Sequence, residues 1–337
     1  MKKRLITTIL SVALLATSLF TFTSCKNNTS TDNVTTGATT QTTINIASLK
    51  GPTSIGLVKL YSDSDNNETA NQYNYSIHGT ADEISTGLIK GDIDIAAIPC
   101  NLASILYNKT EGNILIAGIN TLGVLYIVEK GCEINSVNDL KGMTIYSTGQ
   151  GTTPEYTLRY LLSENDINPD TDVTIKYSQE ASEVVAAISA KDSAVAMLPQ
   201  PYVTVAMNSV DDLSVALDIS EEWEKLDSES TVITGVIVIR KEFAMKNPDA
   251  INSFIEEYSK STEFANNNID ECADLLEQFD IFKSAIAKKA IPECNVTLIT
   301  KEDMKNKVLS YLKVLYDANP ASVGGTLPDE NIFYTAD

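Results

Sequence analysis

Only one histidine (His78), one tryptophan (Trp223) and three arginines (Arg4, Arg159, Arg240) occur in the 337 residues. A single histidine gives Ser-His-Asp catalysis or a multi-histidine metal site little to build on, and His78 reads as a strand-end residue without a special role. Few arginines leave few candidates for a bidentate clamp on a carboxylate. The cysteines are Cys25, Cys100, Cys132, Cys272 and Cys294, in no metal-like spacing. Cys272 and Cys294 would either pair in an exported protein or remain buried free thiols. Basic residues are scarce as well: 25 Lys and Arg face 45 Asp and Glu, a net charge of −20. Such a chain is repelled by nucleic acid and anionic headgroups, and its charges serve as a solvated face. Beyond the first 22 residues no apolar run is long enough to span a bilayer.

What is present begins with a leader. Lys2, Lys3 and Arg4 precede an apolar run from Leu5 to Phe22, and Thr23-Ser24 then lead into Cys25, the pattern of a secretory signal peptide over residues 1–24. The cysteine at the cleavage point resembles a bacterial lipobox, with Phe22 where Leu is usual. That resemblance implies a diacylated Cys25, holding the mature chain at the extracytoplasmic face of the cell membrane. Residues 25–42 carry one apolar side chain beyond alanine, Val34, and read as a disordered tether. Removing the leader removes three basic residues and no acidic ones, leaving 22 against 45, or −23.

From Thr43 the chain contains one arrangement twice. The first copy reads strand (Ile44 to Ala47), small-residue turn, helix (Ser54 to Tyr61), strand (Asn74 to His78), helix (Asp82 to Lys90, with Thr80 and Glu83 at capping-box spacing), strand (Ile93 to Ile98), Pro99, helix. The second reads strand (Thr144 to Ser147), turn, helix from Thr153 and Pro154, strand (Val173 to Tyr177), helix (Ser182 to Ala190), strand (Ala194 to Leu198), Pro199, helix. Glu83 lies 16 residues before Pro99, and Glu183 lies 16 before Pro199. Two βαβ lobes are expected, joined by crossings near Asn120 to Val128 and Val232 to Arg240. Lobe 1 would comprise 43–122 plus 240–337, and lobe 2 would comprise 123–239 including the hinge strands. The long helical patterns after Pro248 would pack back on lobe 1.

Open α/β sheets bind ligands at the carboxyl ends of their strands, so the turns after the two first strands are the leading site candidates. Gly51, Pro52, Thr53 and Ser54 would offer backbone amides and hydroxyls at a helix start, with an ordinary capped turn as the alternative. Gln150, Gly151, Thr152 and Thr153 form the matching jaw. Asn101 and the crossing residues Asn120 and Thr121 can supply neutral donors and acceptors, as can Gln200, while Tyr202 can stack. Each could equally satisfy local backbone. Glu180 and Ser182 read as helix caps, and Trp223 as a packing residue rather than a stacking surface. A nucleotide P-loop is excluded, because Leu57-Val58 stands where Lys-Ser/Thr is required after Gly51 and Gly56. Gly149 and Gly151 begin a dinucleotide-like pattern that Pro154 ends.

Several segments together resemble the solute-binding proteins of ABC importers, in the nitrate, sulfonate, taurine and thiamine-precursor branch. They are Lys50-Gly51-Pro52-Thr53, Gly91-Asp92-Ile93-Asp94, Asn138-Asp139-Leu140-Lys141-Gly142, Gly149-Gln150-Gly151-Thr152-Thr153-Pro154 and Leu198-Pro199-Gln200-Pro201. The resemblance covers 43 to roughly 320 and implies the type II periplasmic-binding fold, α/β with two lobes, a cleft and two crossover strands. It also implies capture of a small polar solute without catalysis or a cofactor, and delivery to a permease and its ATPase by a monomeric binding protein. Gln200-Pro201 departs from the Glu-Pro often found in that family, which removes a negative charge from the cleft. An enzyme acting on a pyrimidine-like metabolite on the same fold, and a surface sensor or adhesin, are the alternative expectations.

Overall fold

The computed structural model describes residues 41–226 and 229–335; the leader, Cys25 and most of the tether lie outside them. The first lobe runs β1 (Thr43–Leu49), α1 (Pro52–Ile55), α2 (Val58–Asp65), β2 (Gln72–His78), α3 (Ala81–Lys90), β3 (Ile95–Pro99), α4 (Cys100–Lys109) and β4 (Ile114–Leu122). The chain then crosses into β5 (Leu125–Lys130), a 3-10 turn (Val137–Leu140), β6 (Thr144–Thr148), α5 (Thr153–Glu164), β7 (Thr174–Ser178) and α6 (Ala181–Ser189). Next come β8 (Ala194–Pro199), α7 (Tyr202–Ser209), β9 (Leu213–Asp218) and α8 (Ile219–Glu224). It returns through β10 (Ile233–Arg240) to α9 (Lys241–Lys246), α10 (Pro248–Asn267), α11 (Ile269–Gln278), α12 (Ser284–Ala290), β11 (Val296–Ile299) and α13 (Lys301–Ala318).

Two sheets result, ordered β11-β4-β10-β3-β1-β2 and β7-β6-β8-β5-β9. Within them β1 is parallel to β2 and β3, and β6 is parallel to β7 and β8. The strand that follows each crossing, β5 or β10, inserts antiparallel beside the last parallel strand. Five strands of the first sheet therefore have a counterpart in the second, as the repeated pattern requires, and β11 is an addition at the first sheet's edge. β10, grouped on sequence with lobe 2, pairs between β3 and β4 in the first sheet. The reason lies in its unbroken apolar run: seven of its eight residues are buried, which suits a central strand covered on both faces.

Alternation along the strands divides the first core. Ile44 and Ile46 on β1, with Ile95 and Ala97 on β3, face Phe254 and Tyr258 of α10. Ala47, Ala96 and Ile98 face the opposite way, into a core shared with α4 and α13. In the second lobe Ile127, Ile145 and Val195 pack on α5. α6 and α7 cover the other face, and that core continues into α11 and α12.

The helix expected over Ser54 to Tyr61 is broken in two. Ser261 Oγ on α10 donates to Gly56 O at 2.6 Å and accepts from Leu60 N–H at 3.0 Å, occupying the place of the helical bond between those residues. The capping box expected at Thr80 and Glu83 does not form: Thr80 is the N-cap without a side-chain bond, and Glu83 pairs with His78 Nδ1 at 2.9 Å. Cys272 and Cys294 are buried free thiols. Burial pushes the Cys272 thiol up to about 12, so neither ionises at neutral pH.

Candidate functional site: the cavity between the lobes

A cavity of about 460 Å³ lies between the two sheets' carboxyl edges, lined by both expected jaws. The size suits a small metabolite. Gly51, Pro52 and Thr53 line it from the first lobe, and Gln150, Gly151, Thr152 and Tyr202 from the second. Gly51 is buried, and a Cβ added there would meet nothing within 4 Å, because the space it would enter is the cavity itself.

The other expected residues stand behind the lining. Ser54 Oγ turns inward to Ser48 Oγ at 2.8 Å and to the Leu49 carbonyl. Asn120 Nδ2 donates to Thr53 O at 3.1 Å, and Thr121 Oγ1 donates to Asn120 Oδ1 at 3.3 Å, so the crossing residues hold the first jaw. Gln200 Oε1 accepts from Thr204 N–H at 3.3 Å and from its hydroxyl at 2.9 Å, capping α7. Thr153 is the first residue of α5, and Thr152 is its cap. Thr153 Oγ1 donates to Asn101 Oδ1 at 3.3 Å, and Asn101 Nδ2 donates to Gly151 O at 3.3 Å. These two bonds join the lobes at one side of the cavity. On another side Gly79 faces Glu180, whose Oε1 would be 2.7 Å from a Cβ at position 79. The lobes thus touch on two sides of the space.

Sequence reasoning missed Thr234, Tyr177 and the segments around Gly79 and Ser178, all of which line the cavity. The last two follow β2 and β7, so extending the strand-edge rule from the first strand of each lobe to the second finds them. Thr234 comes from the returning strand and is placed only by sheet pairing. Two hydroxyls of cavity-lining residues, Thr53 Oγ1 and Thr234 Oγ1, are buried without a hydrogen-bond partner, while the Tyr177 hydroxyl is directed at Arg159 and Glu155. A buried hydroxyl left unpaired costs about 1–3 kcal/mol, so the two beside this space favour a polar occupant.

Both arginines of the described residues are paired with carboxylates. Arg159 Nε donates to Glu155 Oε1 and its Nη1 to Asp170 Oδ1, both at 2.8 Å. Arg240 Nη2 binds Asp94 Oδ1 at 2.8 Å. Lys50, at the rim, is 3.8 Å from Asp280 in an exposed pair. Burial, then the nearby Glu180, pushes the Tyr202 phenol up to about 12, and burial followed by Glu155 raises Tyr177. Trp223 is buried elsewhere, between Tyr160 and Tyr311. Among the described residues no group of three or more His, Cys, Asp or Glu could hold a metal ion, and no helix is long and apolar enough to cross a membrane.

Solved structures share this architecture. An ABC transporter protein from Parabacteroides distasonis is 25% identical, with a TM-score of 0.71 over 88% of this chain and 100% of that one. The alkanesulfonate-binding protein SsuA from Xanthomonas axonopodis pv. citri, bound to MOPS, is 13% identical, with a TM-score of 0.67 over 85% and 94%. The periplasmic nitrate-binding protein NrtA from Synechocystis PCC 6803 is 11% identical, with a TM-score of 0.61 over 87% and 84%. No curated protein sequence matches. A family model described as "ABC transporter, phosphonate, periplasmic substrate-binding protein" matches residues 66–287.

Proposed function

The chain belongs to this family of periplasmic substrate-binding proteins of ABC transporters, and we propose that it captures a small polar solute between the two jaws and hands it to an importer permease. The observation that carries this reading is the convergence of the Gly51–Thr53 turn of the first lobe and the Gln150–Thr152 turn of the second on one cavity, beside the unpartnered hydroxyls of Thr53 and Thr234. A solute that satisfies polar groups of both lobes binds the closed state more tightly than the open one, and that differential affinity is what drives closure. On this reading the hinge lies at the two crossings, between β4 and β5 and before β10. The mature chain would act as a monomer outside the cytoplasm, tethered through a lipid on Cys25.

Native mass spectrometry of the full-length protein, extracted from producing cells, tests the reading. A co-purified small molecule is expected, and adding it back to stripped protein should raise Tm with each increment of concentration by mass action. If the protein carries no adduct and no compound of a polar-metabolite panel raises its Tm, solute capture is wrong. Labelling with radioactive palmitate that is lost on Cys25→Ser would verify the anchor, and unchanged labelling would reject it.

A further inference from the structure

Outside the cavity wall, the turn between α11 and α12 reaches both lobes. α11 ends in a Schellman turn: Asp280 takes the left-handed conformation at φ 54°, its N–H donates to Glu277 O at 3.1 Å, and the Ile281 N–H donates to Leu276 O at 2.9 Å. Glu277 Oε2 then accepts the Ser284 N–H at 2.8 Å, which fixes the start of α12. Held at both ends, the turn is a rigid mount for two phenylalanines. The Phe279 ring lies edge-on to Tyr61 of α2 and Tyr75 of β2, with centroids 6.0 and 5.5 Å away, and anchors the turn on the first lobe. The Phe282 ring lies edge-on to Tyr202 of the second lobe, with centroids 5.2 Å apart. Ile281 and Phe282 are buried in a core that α11 and α12 share with α7. Lys50, beside the first jaw, stands 3.8 Å from Asp280; that pair is exposed and contributes little, but it marks how near the turn lies to the cavity.

We propose that Phe282 is a positioning residue for solute capture: from its mount on the first lobe it holds the Tyr202 ring against the cavity, so that this part of the wall is complete only when the lobes are together. The proposal rests on the capture reading above and deepens it. Tyr202 lines the cavity and is the first residue of α7, an element of the second lobe. Phe282 stands behind it, off the cavity wall, so its effect on a solute passes through Tyr202. A ring already ordered by an edge-to-face partner meets the solute without losing rotamer freedom at that moment, which is where a positioning residue gains affinity. Opening carries Tyr202 away from Phe282 and exposes apolar surface on both rings, so the pair also favours the closed state.

The test follows the co-purified solute as a mass adduct on the full-length protein. Wild type and the variants Phe282→Leu, Phe282→Met, Phe282→Tyr and Ile281→Val are exchanged into solute-free buffer, and native mass spectrometry records how fast the adduct is lost; the Tm of each stripped form is measured alongside. Phe282→Leu and Phe282→Met stay close to the original volume, and each is expected to lose the adduct about 2- to 10-fold faster than wild type, the size of effect that one aromatic pair supplies. Phe282→Tyr keeps the ring and should retain the adduct as wild type does. Ile281→Val loosens the same turn and the same core without touching the aromatic pair, so it should lower Tm and leave the loss rate within about twofold of wild type. Leucine and methionine variants that fold and release the adduct at the wild-type rate overturn the positioning role, and so does an Ile281→Val variant that releases it as fast as they do, which would assign the effect to packing of the turn. Either outcome leaves solute capture standing. A wild-type protein without an adduct defeats capture itself, and this inference with it, before any variant is compared.

Discussion

At the scale of single residues the binding machinery divides into hydroxyls that await a partner and polar groups that already have one. Thr53 Oγ1 and Thr234 Oγ1 belong to the first kind, while Asn120, which holds Thr53 O at 3.1 Å, belongs to the second. The two kinds should respond oppositely to isosteric substitution. Thr53→Val and Thr234→Val exchange an unpaired hydroxyl for a methyl group, so each is expected to leave Tm unchanged or slightly raised while weakening solute binding by about 3- to 10-fold, the worth of one neutral hydrogen bond. Asn120→Ala should lower both stability and affinity, because it leaves the Thr53 carbonyl unpaired. Calorimetry and thermal melts on the same samples separate the cases. A Thr53→Val variant that melts lower and binds as before would place its hydroxyl in the folded core's own bonding rather than in solute recognition.

Elements form from a mixture of local and distant causes, and only the local ones are legible in a sequence. The 3-10 turn Val137–Leu140 is local: Ser136 and Asp139 make a reciprocal capping box, and Asp139 Oδ2 accepts from the Asn135 and Ser136 N–H groups at 3.0 and 2.9 Å. The Asn135 amide, foremost, and then the Ser136 hydroxyl hold the Asp139 carboxyl below the usual aspartate range. A lowered folded pKa contributes stability above the ordinary value of about 3.9, and that stability is lost as pH falls through the folded value. Asp139→Ala is therefore expected to lower the urea midpoint at pH 7, with the gap from wild type narrowing as the pH is taken below 4; a constant gap would assign the loss to packing. β3 and β8 were readable for the same local reason, as apolar runs buried on both faces. β9 and β11 were not, since they are partly exposed edge strands whose partners are β5 and β4, far away in sequence. The break before α2 was hidden too, because Ser261 arrives from 205 residues beyond Gly56. The two jaws were legible as turns after strands, but Asn101 and Thr153, read as solute ligands, turn out to bond each other across the cleft.

Over the whole molecule, closure depends on contacts distributed around the cavity rather than on the jaws alone. Thr157 Oγ1 on α5 and Tyr311 OH on α13 are 2.8 Å apart, joining a helix of the second lobe to one packed on the first. Beside them Trp223 on α8 has its ring centroid 4.6 Å from that of Tyr160 on α5 and 5.7 Å from that of Tyr311. Its indole N–H donates to Ser230 O at 3.2 Å, in the segment leading to the second crossing. Any opening that moves α5 away from α13 must pull this aromatic group apart and change the surroundings of the sole tryptophan in the chain. Intrinsic fluorescence should therefore report closure: with the co-purified solute removed, acrylamide quenching of Trp223 is expected to rise, and adding the solute back should reverse it. Tyr311→Phe keeps the ring but breaks the bond to Thr157, so it should weaken solute affinity by about 2- to 10-fold although Tyr311 does not touch the cavity, because it favours the open state. Equal quenching in the stripped and solute-saturated protein, with binding evident by calorimetry, would show that the lobes do not part along this face.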